Sequence, residues 1–155
     1  MNIAVLGLGI IGSRASSHLR RHPDHEVTLW NRTTKGLEGE VDELGDAVRE
    51  AEVIALYLQD SQALREVMAQ VFEHALGQPV ILNHSTVDLE TTLGLANDCA
   101  QRSWGFLDAP FTGSRDAAAA GALVYYCAGD RSHQLLLAET RIVTNTDDVG
   151  EQRDQ

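Results

Sequence analysis

The sequence predicts an α/β fold with a doubly wound, mostly parallel sheet. Short apolar runs of four to seven residues recur along the chain, helical periodicity follows most of them, and the first run leads directly into a glycine-rich turn. Strands that alternate with helices form βαβ units, whose strands lie parallel to one another. At 155 residues, with 43% hydrophobic and 23% charged side chains, the chain is large enough for one packed domain.

The strands and helices are predicted in a regular order. The apolar runs predict strands over residues 2–6, 27–30, 52–58, 79–83 and 104–108. Helical patterning covers about residues 11–22, where Pro23 stops the first helix, and then residues 60–76 and 88–102. After residue 108 we expect a loop, a helix of small residues and a further strand over 122–128. Residues 52–58 are apolar on both faces, which is typical of a buried parallel strand.

The last residues of the chain contrast with the rest in composition. Residues 144–155 contain one large apolar residue, Val149, and four acidic residues. A segment of this kind buries too little apolar surface to offset the entropy that it would lose on folding. We therefore expect one domain over residues 1–143 and a polar tail without fixed structure over residues 144–155.

Charge and cysteine content narrow the class of protein. The net charge of −11 and the pI near 4.8 argue against a nucleic-acid-binding protein, because phosphate backbones are bound by clustered Lys and Arg. Cys99 and Cys127 lack the spacing of a disulfide scaffold or a C-x-x-C site, so we expect both to be reduced. Residues 3–11 are apolar but include two glycines and follow no basic stretch, unlike a signal peptide or a membrane span. The sequence thus predicts an acidic cytoplasmic protein that binds neither nucleic acid nor membranes.

The glycine-rich turn fits the pattern G-x-G-x-x-G. Gly7, Gly9 and Gly12 directly follow the first predicted strand and begin the first predicted helix, with Ile10 and Ile11 between them. In that context the first glycine makes the tight turn, the second lets a pyrophosphate approach the backbone, and the third packs helix on strand. The exposed amides at the start of the helix then bind phosphate. A plain glycine-rich turn is the alternative, but the strand before it and the helix after it favour a Rossmann dinucleotide site.

The end of the second predicted strand bears on the choice of cofactor. A Rossmann site usually has an Asp or Glu about 20 residues after the glycines, which accepts hydrogen bonds from the adenosine ribose. Here Asn31 stands at that place, and Arg32 and Thr33 follow it. No carboxylate repels a 2′-phosphate, and the guanidinium and hydroxyl groups can bind one. This pattern favours NADP over NAD, whereas the alternative is a solvated arginine in a turn.

Four blocks of sequence carry further motifs. They are G-L-G-I-I-G-S-R over residues 7–14, W-N-R-T over 30–33, A-E-V-I-A-L-Y-L-Q-D over 51–60 with N-H-S-T-V over 83–87, and D-A-P-F-T-G-S-R over 108–115 with G-A-L over 121–123. In this order and spacing they resemble the β-hydroxyacid dehydrogenase family. That family includes 3-hydroxyisobutyrate dehydrogenase, 6-phosphogluconate dehydrogenase, glyoxylate and succinic semialdehyde reductases, and imine reductases. The resemblance extends to about residue 143 and matches the N-terminal cofactor domain of a two-domain architecture.

The resemblance implies two loops along the cofactor. Leu58 ends the third predicted strand, Gln59 follows it, and Thr86 follows the fourth strand, like the residues that lie toward the nicotinamide in this family. Both loops follow the carboxyl ends of parallel strands, where open α/β sheets bind their ligands.

A third loop resembles the site that binds the substrate carboxylate in this family. It comprises Thr112, Gly113 and Ser114 and follows the fifth predicted strand. Two backbone amides and the Thr112 hydroxyl would form a small anion-binding nest. Without its neighbours the same loop would equally fit a capping turn for the following helix.

The chain departs from the family pattern at three places. Ile11 replaces the methionine that is usual in the glycine loop. Residues 33–51 are about ten residues shorter than the family's second crossover, so its edge strand is either a remnant near residues 39–41 or missing. In the family, a lysine and an asparagine one helical turn later begin the C-terminal helical domain, and we expect neither the lysine nor that domain in this chain.

The sequence does not support a catalytic or metal-binding role for the histidines. His18 and His22 have the i, i+4 spacing of helical metal ligands, but Pro23 breaks that geometry, and we assign no metal site. His84 is the one titratable group near the nicotinamide loop, and nothing in the sequence directs it toward a substrate. We therefore assign no catalytic residue.

Together these features predict the NADP-binding domain of a β-hydroxyacid dehydrogenase-like oxidoreductase. In a complete relative, hydride passes between NADPH and a small hydroxy or oxo acid, a semialdehyde or an imine, while a lysine handles the proton. A non-catalytic dinucleotide-binding module and a truncated product without activity are the alternatives. The sequence leaves open whether the chain forms a homo-oligomer.

Overall fold

The computed structural model describes residues 1–139, so the predicted tail over residues 144–155 lies outside the described residues. The described strands are β1 (Asn2–Leu6), β2 (Glu26–Trp30), β3 (Val53–Leu56), β4 (Val80–Asn83), β5 (Gly105–Asp108), β6 (Phe111–Thr112), β7 (Val124–Tyr125) and β8 (Ala128–Gly129). The described helices are α1 (Gly12–Leu19), α2 (Leu44–Val48), α3 (Ser61–His74), α4 (Leu89–Gln101), α5 (Arg115–Ala120) and α6 (Arg131–Glu139). Five of the predicted strands and all the predicted helices are therefore present, with ends that differ by a few residues.

A six-stranded sheet forms the centre of the domain. Its strands lie in the order β2-β1-β3-β4-β5-β8, and every neighbouring pair is parallel except β5 and β8. The chain leaves β1 toward β2 and then returns past β1 to β3, so the sheet changes winding direction between β1 and β3. Open α/β sheets bind ligands at such a switch point, beyond the carboxyl ends of the strands.

Helices cover both faces of this sheet, as the doubly wound prediction requires. On one face, side chains of α2, α3 and α4 pack against the sheet, with Leu64, Met68 and Ile81 fully buried. On the other face, α1, α5 and α6 pack around Leu19 and Leu107. Each inner strand is therefore buried on both sides, which explains its continuous apolar sequence. No helix within residues 1–139 is both long and apolar enough to cross a membrane.

The short connection between β2 and β3 contains a remnant of an edge strand. The Leu29 amide donates to the Gly39 carbonyl and the Val41 amide donates to the Leu29 carbonyl, both at 2.9 Å. These bonds form a single parallel bridge between Leu29 and Glu40. The chain then enters the five-residue helix α2 and continues to β3. Of the two alternatives that the sequence left open, the structure shows the remnant.

The single strand predicted over residues 122–128 is wrong. Residues 124–125 form β7, which pairs with β6 in a separate two-stranded sheet, and residues 128–129 form β8 at the edge of the main sheet. Between them, the Tyr126 amide donates to the Pro110 carbonyl instead of continuing a ladder. Gly129, at a φ of +145°, packs against Leu107, where an added Cβ would lie only 3.0 Å from Leu107 Cδ1. The apolar run therefore serves two different sheets.

Candidate functional site

Two glycines of the turn after β1 are required by the protein's own packing. At Gly7, with a φ of +100°, a Cβ atom would lie 2.2 Å from the Tyr57 carbonyl oxygen. At Gly12 a Cβ atom would lie 2.0 Å from the Gly7 carbonyl oxygen. Distances this short are impossible without moving backbone, so these two glycines let β1, α1 and the residue after β3 come together.

Gly9 differs from the other two glycines because nothing in the protein occupies the space beside it. A Cβ atom built there would have no heavy atom within 4 Å, and the residue is exposed. Ile10 beside it is 61% exposed, whereas Ile11 is partly buried and packs on the core before α1 begins at Gly12. The absence of a side chain at Gly9 therefore leaves room for something outside the protein, directly before the amino terminus of α1.

Asn31 connects the end of β2 to the glycine loop. Its Oδ1 accepts a hydrogen bond from the Leu8 amide at 2.8 Å, and its Nδ2 donates to the Thr33 carbonyl at 2.7 Å. The side chain thus holds two loops in register. Sequence reasoning assigned Asn31 to cofactor choice and missed this bracing contact, because Leu8 lies 23 residues away along the chain.

Arg32 is exposed and makes an ion pair with a residue that the sequence did not single out. Its Nη2 lies 2.9 Å from Oε2 of Glu66 on α3. The other carboxylate oxygen of Glu66 accepts a hydrogen bond from Gln62 at 2.9 Å. The guanidinium group is therefore held at the end of β2 by a helix that begins after β3.

A cleft of about 260 Å³ lies at the carboxyl ends of β1, β2 and β3. Seven residues predicted from the sequence to contact a cofactor line this cleft: Gly7, Gly9, Asn31, Arg32, Thr33, Leu58 and Gln59. Five lining residues were not predicted: Trp30, Lys35, Tyr57, Ala63 and Val67. The other four predicted residues, Ile10, Ile11, Gly12 and Thr86, lie outside this lining.

The loops after β3 and β4 are tied together by buried polar side chains. The Leu58 amide donates to the Ser85 hydroxyl at 2.8 Å, and the Ser85 amide donates to Oδ1 of Asn83 at 3.1 Å. Asn83 in turn donates to Oδ1 of Asp108 at 2.8 Å. Burial raises the pKa of Asp108, although the hydrogen bond from Asn83 opposes that change. This chain of contacts aligns the carboxyl ends of three neighbouring strands.

Thr86 lies on the exposed turn between β4 and α4. Two residues further on, Asp88 caps α4 by accepting a hydrogen bond from the Thr91 amide at 2.8 Å. Asp88 also accepts one from the Ser61 hydroxyl at the start of α3. The bond from Ser61, followed by those from Thr91, lowers the pKa of Asp88 to about 2. The turn that carries Thr86 is thus anchored to both helices.

His84 is enclosed in the core and carries no charge at neutral pH. Its Nδ1 lies 2.8 Å from the Ala109 carbonyl, and its ring lies between those of Tyr57 and Tyr125, at 4.7 and 4.9 Å. Burial lowers the pKa of His84 to about 4, against the weaker effect of the Ala109 carbonyl. Nε2 is buried and has no hydrogen-bond partner within the part of the chain that the structure describes. The histidine is therefore unsuited to exchange protons with a ligand in the cleft.

The predicted carboxylate loop begins at the end of β6 and leads into α5, which connects β6 to its antiparallel partner β7. Thr112, Gly113 and Ser114 are all exposed, and Gly113 has a φ of +140°. The Ser114 hydroxyl accepts a hydrogen bond from the Ala117 amide at 3.1 Å and so caps α5. Ser114 therefore has the capping role that the sequence left open as an alternative. Because all three residues of the loop are exposed, an anion can still reach them.

The histidines of α1 and of the turn after it contact other parts of the protein, and in the described part of the chain they form no metal site. His18 Nε2 lies 3.0 Å from the Ala119 carbonyl at the end of α5, and His22 stacks on His25 with ring centroids 4.2 Å apart. Within residues 1–139 no three His, Cys, Asp or Glu side chains lie close enough together to hold a metal ion.

Comparison with known proteins identifies a family model that covers most of the chain. Residues 2–139 match the NAD-binding domain of 6-phosphogluconate dehydrogenase. Among curated proteins, the chain is 34% identical over 140 residues to the cytokine-like nuclear factor N-PAC of Danio rerio, a match that covers 84% of this chain and 30% of that protein. It is 33% identical over 143 residues to glyoxylate/succinic semialdehyde reductase 1 of Arabidopsis thaliana, covering 85% of this chain and 49% of the reductase.

Solved structures show the same fold at lower sequence identity. The 3-hydroxyisobutyrate dehydrogenase of Mycobacterium tuberculosis, solved with L-serine, superposes with a TM-score of 0.84 at 23% identity, over 91% of this chain and 51% of that one. An imine reductase of Streptomyces aurantiacus superposes with a TM-score of 0.77 at 23% identity, over 93% of this chain and 53% of that one. The chain therefore spans between about a third and a half of the length of these relatives.

Proposed function

The chain belongs to the family of 6-phosphogluconate dehydrogenase NAD-binding domains, and on this premise we propose that it binds NADPH as the cofactor domain of a β-hydroxyacid dehydrogenase-like oxidoreductase. The open space beside Gly9 carries the proposal. Gly7 and Gly12 are explained by contacts within the protein, whereas Gly9 is explained by a ligand that must approach the backbone there. A pyrophosphate at the amino terminus of a helix is the ligand that this geometry suits.

Arg32 and Thr33 support NADPH over NADH. Both line the cleft at the end of β2, where a carboxylate would usually bind the adenosine ribose. The side chain at that place is the neutral Asn31, whose oxygen is engaged by the Leu8 amide. A 2′-phosphate would therefore meet a guanidinium and a hydroxyl group with no carboxylate from residue 31 to repel it.

The reaction that we propose for the complete protein is hydride transfer to or from a small acid, semialdehyde or imine. When bound, NADPH supplies the hydride. This chain's residues bind and orient: Leu58 and Gln59 line the cleft beyond the glycine loop, and the Thr112–Ser114 loop offers amides and a hydroxyl to a substrate carboxylate. Lys35, the chain's single lysine, lines the cleft beside Arg32 on the adenosine side. We therefore place the acid/base group outside these residues.

Isothermal titration calorimetry of the 155-residue chain with NADPH and with NADH tests this function. We expect both to bind and NADPH to bind more tightly. Arg32→Ala should weaken NADPH binding by about 10- to 150-fold, because that is the contribution of one charged hydrogen bond to affinity. The affinity for NADH should stay nearly unchanged. Arg49→Ala is the matched control, because Arg49 is exposed and pairs with Asp46 on α2 instead of lining this cleft. If neither dinucleotide binds the parent chain, the proposed function is wrong.

A further inference from the structure

A carboxylate lies beside the predicted 2′-phosphate site although no acidic residue follows β2 at the usual place. Glu66 reaches Arg32 from α3, with Nη2 and Oε2 2.9 Å apart. The two residues are 34 positions apart in the sequence, so the glycine-loop pattern could not reveal this contact.

Glu66 stands at the rim of the dinucleotide cleft. Ala63 and Val67, three residues before it and one after it on α3, both line the cleft, as does Arg32 itself. Gln62 donates to the second carboxylate oxygen at 2.9 Å and so helps to direct the carboxylate toward Arg32. The pair remains largely in contact with solvent, since the side chains of Arg32 and Glu66 are 66% and 49% exposed.

We propose that Glu66 sets the preference between NADPH and NADH, acting through Arg32. The proposal rests on dinucleotide binding in this cleft. Glu66 neutralises the guanidinium group that a 2′-phosphate would use, and it places a negative charge near a group that itself carries about −1.5 to −2 charges at neutral pH. NADPH must displace Glu66 from Arg32 and bind beside its charge, whereas NADH, which has no 2′-phosphate, does neither. Glu66 is thus a positioning residue that narrows the affinity difference between the two cofactors.

The size of the effect follows from the exposure of the pair. An exposed ion pair contributes little by itself, and the repulsion between the carboxylate and a phosphate is reduced by solvent. The release of Arg32 and the removal of this repulsion act in the same direction. We therefore expect Glu66→Gln to raise NADPH affinity by about 3- to 10-fold and to change NADH affinity by less than about 2-fold. The change is isosteric and lies on an exposed helix face, so the fold should tolerate it.

Three comparisons separate this role from a structural one. Glu73→Gln removes the same charge from the same helix about two turns beyond Glu66, and it should leave both affinities unchanged. In an Arg32→Ala background, Glu66→Gln should raise NADPH affinity by less than it does in the parent chain, because only the direct repulsion between the carboxylate and the phosphate remains there. The gain from Glu66→Gln should also shrink between about 0.1 M and about 1 M salt, as the Debye length falls from about 10 Å to about 3 Å.

Calorimetric titration of the parent chain and these variants with NADPH and NADH decides the outcome, with melting curves to verify that each variant is folded. A gain for NADPH alone that is smaller in the Arg32→Ala background supports the inference. Equal gains for both cofactors, no gain for NADPH, or a gain of the same size in the Arg32→Ala background would overturn it. Failure of the parent chain to bind either cofactor would instead overturn the proposed function, so the two failures are distinguishable.

Discussion

The hydroxyl groups of Tyr57 and Tyr125 lie 2.9 Å apart and join the residue after β3 to the two-stranded sheet of β6 and β7. Tyr57 lines the cleft at the carboxyl ends of β1, β2 and β3, and Tyr125 pairs with Phe111 in the β6–β7 sheet, next to the predicted carboxylate loop. Burial raises the pKa of both phenols, so both are protonated at neutral pH and one donates to the other. This contact connects the two halves of the candidate site.

We expect Tyr125→Phe to lower the free energy of unfolding by about 1 to 3 kcal/mol, because it leaves the Tyr57 hydroxyl without its buried partner. Tyr57→Phe should act similarly, and the double variant should lose less than the two single losses added together. Urea unfolding curves measure these values. Tyr126→Phe is the control, since Tyr126 is 62% exposed and its variant should stay within about 0.5 kcal/mol of the parent. Strictly additive losses would show that the two hydroxyls do not stabilise each other.

Gly9→Val should abolish NADPH binding while the melting temperature stays close to that of the parent. A Cβ atom at this position has no protein atom within 4 Å, and the added side chain fills the space that a pyrophosphate needs. Calorimetry and thermal melting measure the two properties together. Gly77→Val, at another glycine with open space, should leave both unchanged.

The same substitution at Gly12 gives a useful contrast. There the side chain would collide with the Gly7 carbonyl, so we expect Gly12→Val to lower the melting temperature as well as binding. A Gly9→Val variant that is folded and still binds NADPH would show that the glycine loop is only a turn.

Stability should fall as the pH is lowered from about 6.5 to about 4, because of His84. Its pKa is about 4 in the folded chain against 6.5 for a free histidine, so in this window the unfolded state binds the additional proton. The free energy of unfolding falls by about 3 kcal/mol in total, and it stops falling once the pH is below the folded-state pKa of about 4. Urea unfolding at a series of pH values measures it.

His84→Gln should reduce this slope. Part of it will remain, since burial also lowers the pKa of His25 and acts in the same direction. Asp88 contributes in a separate window, as its stabilisation is lost only when the pH falls from about 4 toward 2. An unchanged slope between pH 6.5 and 4 in the variant would contradict the burial of a neutral His84.

The 155-residue chain should bind NADPH without catalysing multiple turnovers. Lys35, its single lysine, lies beside Arg32 at the adenosine side, and His84 is buried and neutral. The lack of a positioned acid/base group costs about 10²- to 10⁴-fold in the chemical step. NADPH oxidation with glyoxylate, succinic semialdehyde and cyclic imines measures the activity. Repeated turnover that disappears in a His84→Ala variant would show that this histidine does act as the proton donor.

Local features of the sequence determined the parts of the structure that depend on neighbouring residues. The apolar runs located the five parallel strands, since each inner strand is buried on both faces. The spacing of Gly7, Gly9 and Gly12 located the turn after β1 and set Gly9 in front of the helix. The same reasoning misplaced residues 122–128, because an apolar run does not reveal which of two sheets each half will join.

Tertiary packing alone decided how the candidate site is held and charged. Asn31 braces Leu8, Glu66 pairs with Arg32, and Tyr57 meets Tyr125, across 23, 34 and 68 residues respectively. Such contacts depend on the order of strands in the sheet and on the angle at which each helix returns over it. The local periodicity of the sequence predicts neither the strand order nor this angle. The sequence therefore predicted where a dinucleotide would bind, whereas only the folded chain showed that a carboxylate from α3 lies next to Arg32, the residue that we propose for the 2′-phosphate.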